Sequence, residues 1–441
     1  MGTTTNLLQL WEKVIETVEK EGALCEMWSF DLTKAFDLLD HAKVLDLLHQ
    51  MGITGNFGRC IESWLTGRQQ FFEANGKKSE KVTVVKSCVQ GSIFGPTLWL
   101  VYIQPLMDRL TKMRVEYYGY ADDIAIIKRI KTDQDQTEFE AILRTLQEWA
   151  DEFGMRWSPA KTQRLVFQYK GCKPLTPREV KFNGVKITPL ESMAESLGVL
   201  IGGSCIFTAH IRRIRDKIKT IMYQVKRNFA VLNIEILKKI YVVYIQSRID
   251  YGSAVNYPGV EKSIENIVER YWKLSPTRKP PTDFVSPQMR MIENDLKIVH
   301  KMYKGTYALK YEEVFKTNRE IEKEFNTRKN ETNDLPIPKW RLIIARHKFS
   351  FRTRPSWNFV PTRIRELKES LFKIEIKKHL RENEQTYRNF TREHNIVGGS
   401  EINENQKRRV LEENQKTATS MKNLKKNKNE KKVNEQTQKN P

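Results

Sequence analysis

Residues 115–120 and 124–128 are two short strand candidates with only Ala121-Asp122-Asp123 between them. Parallel strands need a crossover of a dozen residues or more, so a link this short makes the pair an antiparallel hairpin. The hairpin carries two carboxylates at its tip. Successive strand residues point to opposite faces, so normally one of the two faces a given side, although a tight turn can bring both towards one cleft. An acidic dipeptide at a hairpin tip also makes an ordinary polar turn. What decides between the two readings is what else the chain brings to that end of the sheet.

A third carboxylate, Asp31, stands at the end of an apolar strand candidate, 24–31. An amphipathic helix precedes it, with Leu7, Leu10, Trp11, Val14, Ile15 and Val18 on one stripe and Gly22 as its stop. Carboxylates crowded at adjacent strand ends repel one another unless a cation sits between them. Hard oxygen ligands suit magnesium. Two such ions ~4 Å apart can activate an attacking hydroxyl and stabilise a leaving pyrophosphate. Phe36 follows five residues after Asp31, where an aromatic could wall a sugar pocket or simply fill core. Gln90-Gly91-Ser92 precedes a strongly apolar helix opened by Gly95-Pro96 and running through Leu110. Glycine permits close approach of a ligand, and helix starts welcome phosphate, though the same residues also make a plain loop. Lys161, after Pro159 and before a strand, could protonate a leaving pyrophosphate or could be a solvated surface lysine.

The rest of the chain reads more coarsely. Helices are expected over 37–50 and 57–65. Asn75-Gly76 between 69–74 and 81–87 signals a hairpin. Phe139, Ile142, Leu143, Leu146, Trp149 and Phe153 mark a long helix closed by Gly154, and strands are expected over 164–169, 180–182 and 197–201. From Ile206 the chain turns helical and basic, with Arg212, Arg213, Arg215, Lys217 and Lys219. Helices near 237–248 and 264–274 follow. Pro276, Pro280, Pro281 and Pro287 then mark a boundary, and 289–380 is less readable. From Glu401 the chain cannot bury enough apolar surface to offset its ordering entropy and is expected to be disordered.

With 441 residues the chain is long enough for two or three compact units. Its formal charge is +22, from 76 Lys plus Arg against 54 Asp plus Glu. Such a surplus favours a polyanionic partner, nucleic acid first and an anionic membrane surface second. Cys25, Cys60, Cys88, Cys172 and Cys205 are scattered, which argues against a disulfide framework or zinc module and suits a reducing compartment. The start has no secretory pattern, and no apolar run is long enough to span a bilayer. The expected setting is intracellular, nucleus and/or cytoplasm, without a membrane partner.

Taken in order, five segments resemble the reverse transcriptase palm of LINE-type (non-LTR), jockey-like retrotransposons. They are FDLTKAFDLLDH (30–41), VQGSIFGPTLWLVYI (89–103), YADD (120–123), FGMRWSPAKTQ (153–163) and ESLGVLI (195–201). YIQSRIDYGSAVNYP (244–258) is similar to the thumb of these elements, and FSFRTRPSWNFVP (349–361) to their C-terminal segment. The resemblance implies an α/β (α+β) protein: a right-hand palm with an antiparallel sheet backed by helices, a helical thumb and a basic tail. The implied divisions are 1–203 (palm with partial fingers), 204–275 (thumb-like), 276–385 (C-terminal region) and 386–441 (disordered tail).

The same resemblance implies that Asp31, Asp122 and Asp123 hold two Mg2+ ions, with Mn2+ as a substitute and the Leu32 carbonyl as a further ligand. It makes Phe36 the gate against a ribose 2′-hydroxyl, and Gln90 and Gly91 contacts to nucleotide and template. Lys161 becomes the general acid and Leu197-Gly198-Val199 the primer grip. The implied partners are an RNA template, a DNA primer and deoxynucleoside triphosphates; oligomeric state is not readable. Departures are few. Val89 stands where proline is usual and Trp99 where phenylalanine is common. Most of the fingers and the upstream endonuclease are missing, so an N-terminally truncated copy is expected. The rival readings are a catalytically dead nucleic-acid-binding relic and an RNA-templated RNA polymerase; a bulky Phe36 argues against the latter.

Overall fold

The computed structural model describes residues 2–21, 25–89, 91–130, 132–167, 177–190, 193–205, 207–229, 232–256, 261–315, 335 and 348–393. Gln90 and the expected disordered tail from 394 onward lie outside the described residues. Helix α1 (Thr3–Glu21) leads into strand β1 (Cys25–Phe30). Helices α2 (His41–Gln50) and α3 (Gly55–Leu65) follow. An exposed arm comes next, made of β2 (Gln69–Gln70), β3 (Glu73–Ala74), β4 (Lys77–Lys78) and β5 (Val82–Thr83). Asn75-Gly76 turns that arm, as its sequence signals, with both residues at positive φ. Then come α4 (Gly95–Lys112), β6 (Tyr117–Tyr120), β7 (Asp123–Lys128), α5 (Asp133–Phe153) and β8 (Gln163–Phe167).

Four strands form one antiparallel sheet in the order β6-β7-β1-β8. Strand β1 is central and pairs Phe30 with Ile124 on one side and Trp28 with Arg164 on the other. Alternation divides its side chains. Trp28 and Phe30, with Ile124 and Ile126, enter a core built with Trp99, Phe139, Leu146 and Trp149 of α4 and α5. Met27, with Ala125, Ile127, Leu165 and Phe167, enters a second core with Leu7, Trp11 and Val14 of α1. Burial on both faces explains why 24–31 lacks a polar alternation.

Short strands β9 (Lys181–Phe182) and β10 (Val185–Lys186) pair with each other, as do β11 (Met193–Ser196) and β12 (Val199–Gly202). The remainder is helical: α6 (Thr208–Asn228), α7 (Ile234–Ile240), a π-helical turn at Tyr241–Gln246, α8 (Ser247–Asp250), α9 (Ser253–Asn256), α10 (Glu261–Trp272) and α11 (Pro287–Tyr303). After α12 (Tyr311–Val314) come α13 (Phe349–Phe359), α14 (Thr362–Arg365), α15 (Glu369–Glu382) and α16 (Glu384–Glu393). Among the described residues no helix is long and apolar enough to cross a membrane.

The boundaries expected at 203, 275 and 385 do not divide the core. Leu7, Ile214, Trp272, Leu296, Trp357 and Leu380 all belong to one apolar cluster with the sheet. Helix α16 crosses position 385 and buries Tyr387 completely. Prolines at 276–287 therefore punctuate the chain without ending its core: Pro287 sits in the first turn of α11, where a missing N–H costs nothing.

One polar interaction lies inside the sheet. Arg164 of β8 and Glu26 of β1 are both fully buried and meet in a two-pronged ion pair of 2.9 and 2.8 Å. Trp28 donates its Nε1–H to the same carboxylate at 2.9 Å, and the guanidinium lies 4.8 Å over the Trp28 ring. A third prong reaches the Arg178 carbonyl at 2.8 Å. Removing one partner of a buried pair costs about 3–5 kcal/mol, because the other charge is stranded. Glu26→Gln is therefore expected to lose about 3 kcal/mol in urea denaturation. Adding Arg164→Met should recover most of it, since the amide oxygen introduced at position 26 still accepts from Trp28. A single-variant loss under about 1 kcal/mol would contradict this account.

Candidate active site

Strand β1 stops at Phe30 and β7 starts at Asp123. Their last named pair is Phe30 with Ile124, so one step further along the same register sets Asp31 beside Asp123. Two carboxylates far apart in sequence thus meet because two antiparallel strands end together. Asp122 lies in the two-residue link between β6 and β7, which pairs Tyr120 with Asp123 across it. That link needs Ala121 at φ +53°, a left-handed conformation that a non-glycine residue adopts at a cost. Trp99 anchors it, donating its Nε1–H to the Ala121 carbonyl at 2.7 Å. The departure at position 99 thus has a function: phenylalanine has no N–H to donate there.

Electrostatics tie the carboxylates together. The Asp123 carboxyl is raised above the ordinary aspartate range, first by loss of solvation, then by the charges of Asp122 and Asp31; Lys161 opposes the shift. Lys161 reaches Asp31 directly, Nζ to Oδ2 at 3.1 Å, from a largely exposed position. Its turn is fastened to the strand end. The Ser158 N–H donates to the Asp31 carbonyl at 2.9 Å, the Thr33 N–H to the Arg156 carbonyl at 2.8 Å, and the Lys161 N–H to the Ser158 carbonyl at 3.1 Å. Leu32 is buried and bridges to Trp157 between those bonds. Among the described residues no three acidic, histidine or cysteine side chains converge as a metal-binding set. The donor chemistry still fits a divalent cation: Asp31 and Asp122 both act on the raised Asp123 carboxyl, with Lys161 as countercharge.

Phe36 lies in a turn over 33–39 whose N–H groups at Asp37 and Leu38 both donate to the Lys34 carbonyl at 3.0 Å. Its ring is half-buried and 5.7 Å from that of Trp99. The helix expected over 37–50 begins only at His41, with Asp40 as its N-cap. The reason is pairing with a later segment: Cys88 and Ser87 donate their N–H groups to the carbonyls of Phe36 and Leu39 at 3.0 and 2.8 Å. That segment runs into the glycine loop. The Ser92 N–H donates to the Val89 carbonyl at 3.1 Å, and Gly91 stands at φ +81°, a left-handed conformation that favours glycine. Gln90, the other candidate in this loop, lies outside the described residues.

Leu197 and Gly198 form the tip of the β11–β12 hairpin, with φ +45° and +78°. The strand expected over 197–201 therefore begins two residues later, and β11 is an additional strand. Val199 is fully buried, so its side chain serves the core. Sequence reasoning missed four contributors here: Glu26 and Arg164, which fix the register of the strand end, and Arg213 and Tyr251, which bond to the hairpin tip. An acidic residue in an otherwise apolar strand and an arginine in a strand opposite it were the available signals for the first pair.

Residues 3–187 match the family described as reverse transcriptase (RNA-dependent DNA polymerase). The chain is 24% identical over 224 residues to the probable RNA-directed DNA polymerase from transposon X-element of Drosophila melanogaster, covering 49% of this chain and 24% of that protein. It is 24% identical over 227 residues to the RNA-directed DNA polymerase from mobile element jockey of Drosophila funebris, covering 50% and 24%. The chain thus spans about a quarter of the length of these relatives. Telomerase from Candida tropicalis, in complex with a fragment of telomeric RNA, aligns over 65% of this chain and 52% of that one at 9% identity and a TM-score of 0.34, a likeness too weak to support any conclusion. Over residues 3–187 the chain is thus similar to the reverse transcriptase family, and about half of it is similar to the RNA-directed DNA polymerases of transposon X-element and mobile element jockey.

Proposed function

We propose that this chain transfers a deoxynucleotide onto a primer 3′-hydroxyl under the direction of an RNA template, copying retrotransposon RNA into DNA. The observation that carries the reading is the meeting of Asp31 and Asp123 at the ends of two paired strands, with Asp122 in the adjoining turn, inside the region similar to the reverse transcriptase family.

Asp31, Asp122 and Asp123, with the Leu32 carbonyl, are the groups that would hold two Mg2+ ions, and Mn2+ has the same donor preference. Bound there, such ions activate the attacking hydroxyl and stabilise charge on the leaving pyrophosphate. The remaining chemistry is done by this chain's own residues. Lys161, stationed beside Asp31, is an ammonium that can give a proton to the leaving group. Phe36, braced by Trp99 and by the bond from Cys88, is a bulky wall that would exclude a ribose 2′-hydroxyl beneath the sugar. Gly91, in the loop before helix α4, permits close approach of a ligand to the backbone, and Gln90 and Gly91 would contact nucleotide and template. Leu197-Gly198 would meet the primer, with Val199 as their support in the core. Arg212, Lys217 and Lys219 on α6 are exposed and can neutralise phosphates without reading sequence. Cys25, Cys88 and Cys205 are buried and scattered through the chain, which suits an intracellular setting, nucleus or cytoplasm.

The direct assay is primer extension on poly(rA)/oligo(dT) with Mg2+ and labelled dTTP. The parent is expected to incorporate, and Asp122→Asn to reduce the rate by at least about 10²–10³-fold, the loss typical of removing one preorganised electrostatic group. Equal extension by both proteins would sink the role of Asp122. A second expectation concerns stability. Because the folded Asp123 carboxyl is raised, its ionised form costs stability at neutral pH, and the cost is relieved as pH falls through that raised value. Asp123→Asn should therefore raise the thermal midpoint of the Mg2+-free protein at pH 7. The gain should disappear below the ordinary aspartate value of about 3.9. A lowered midpoint in EDTA would show that no such repulsion exists.

A further inference from the structure

The tip of the β11–β12 hairpin is held by side chains that come from well beyond it in sequence. Two consecutive left-handed residues, one of them a leucine, make a turn that is unfavourable unless its carbonyls are fixed. Both are. Tyr251 donates its hydroxyl to the Leu197 carbonyl at 2.5 Å, and Arg213 of α6 donates to the Gly198 carbonyl. The same guanidinium pairs with Glu195 of β11 at 2.9 Å. His210, at the start of α6, accepts the Leu200 N–H at 3.3 Å. Burial and the nearby Arg213 push its imidazole down to about 4, so it stays a neutral acceptor. Gly252, at φ +70°, brings the chain so close to β12 that an added Cβ would lie 2.9 Å from Val199 Cγ2.

The turn bearing Tyr251 is itself tied down. Asp250, the residue before it, accepts from Arg290 at 3.2 and 3.0 Å and from Asn294 Nδ2 at 2.9 Å, both on α11. Tyr251 is 40% exposed, so its hydroxyl bond lies at the surface edge of the hairpin, where packing alone does not require it.

We infer that Tyr251 and Arg213 are positioning residues for the 3′ end of the primer, and that α11 extends this control into the C-terminal half through Asp250. The inference rests on the polymerase reading and on the hairpin tip as the primer contact. It gives the YIQSRIDYG segment a role: Asp250 receives the brace from α11, Tyr251 delivers it to the hairpin, and Gly252 allows the close approach.

The test uses the full chain and two readouts. Fluorescence anisotropy, without nucleotide, compares a recessed poly(rA)/oligo(dT) duplex with unprimed poly(rA). Tyr251→Phe, which removes one hydroxyl, should weaken binding of the primed duplex about three- to tenfold, the range of one lost hydrogen bond, and leave unprimed RNA unchanged. Asp250→Asn should move binding in the same direction. Arg213→Gln should behave like Tyr251→Phe, and Arg213→Lys, which keeps a donor, should recover part of the loss. Steady-state extension should show a raised KM for primer–template with the KM for dTTP unchanged. Equal affinity of parent and Tyr251→Phe for the primed duplex overturns the inference, as does equal weakening on primed and unprimed RNA. A parent that binds primed duplex but incorporates nothing contradicts the polymerase reading alone, and the anisotropy comparison still decides this one.

Discussion

A slip of β1 by one residue against its neighbours would turn Trp28 and Phe30 to the face of α1 and move Asp31 out of line with Asp123, because side chains alternate with a period of two. Apolar residues on both faces resist the slip only weakly, since each core would still receive hydrophobic groups. The Glu26–Arg164 pair resists it strongly. Its two-pronged geometry, with Trp28 bonded to the same carboxylate, exists in one register only, and any other leaves two charges buried without partners. The position of Asp31 thus follows from a buried ion pair five residues up the same strand. The strain at Ala121 is held in a comparable way by the Trp99 N–H. Both supports are buried side chains in the core beneath the site.

The C-terminal half is part of the same construction. Ser350 of α13 gives its N–H and hydroxyl to Glu12 of α1 at 3.0 and 2.6 Å. Arg352 is buried and grips Asp295 of α11 at 2.9 and 3.1 Å while donating to the Ala254 carbonyl at 2.7 Å. Arg365 donates to the Val360 carbonyl at 2.6 Å, with its guanidinium 5.6 Å over Trp357. Arg354 is buried as well and donates to the Ser350 carbonyl at 2.6 Å, so both arginines of FSFRTRPSWNFVP, like Arg365 just beyond it, look inward. Charge there serves packing between helices, whereas exposed charge on α6 remains available to a polyanion. A single stretch of basic residues can mean either, and only burial distinguishes them.

Much of the sheet was legible in the sequence. The short link Ala121-Asp122-Asp123 forced a hairpin, the apolar stripe of α1 and the closing Gly154 of α5 marked their helices, and Asn75-Gly76 marked its turn. What escaped was set by partners distant in the chain. The start of α2 moved because Phe36 and Leu39 pair with residues some fifty positions later. Strand β11 went unread because Leu197-Gly198 lacks the Asn-Gly pattern, and its left-handed leucine is stabilised by Arg213 and Tyr251 rather than by local preference. Prolines at 276–287 suggested a boundary because proline punctuates local structure; it carries no information about which residues share a core. Of the candidate site, Asp31, Asp122, Asp123 and Lys161 were named as candidates from the sequence and its resemblance, while the residues that hold them in place were not named.

Manganese titration followed by electron paramagnetic resonance tests most directly whether the strand ends make a cation site. The parent is expected to bind Mn2+, with Mg2+ displacing it, and Asp31→Asn and Asp123→Asn are each expected to abolish that binding in folded protein. Undiminished Mn2+ affinity in both variants would contradict the account: the carboxylates would then meet at the sheet end without serving the ions that nucleotidyl transfer requires.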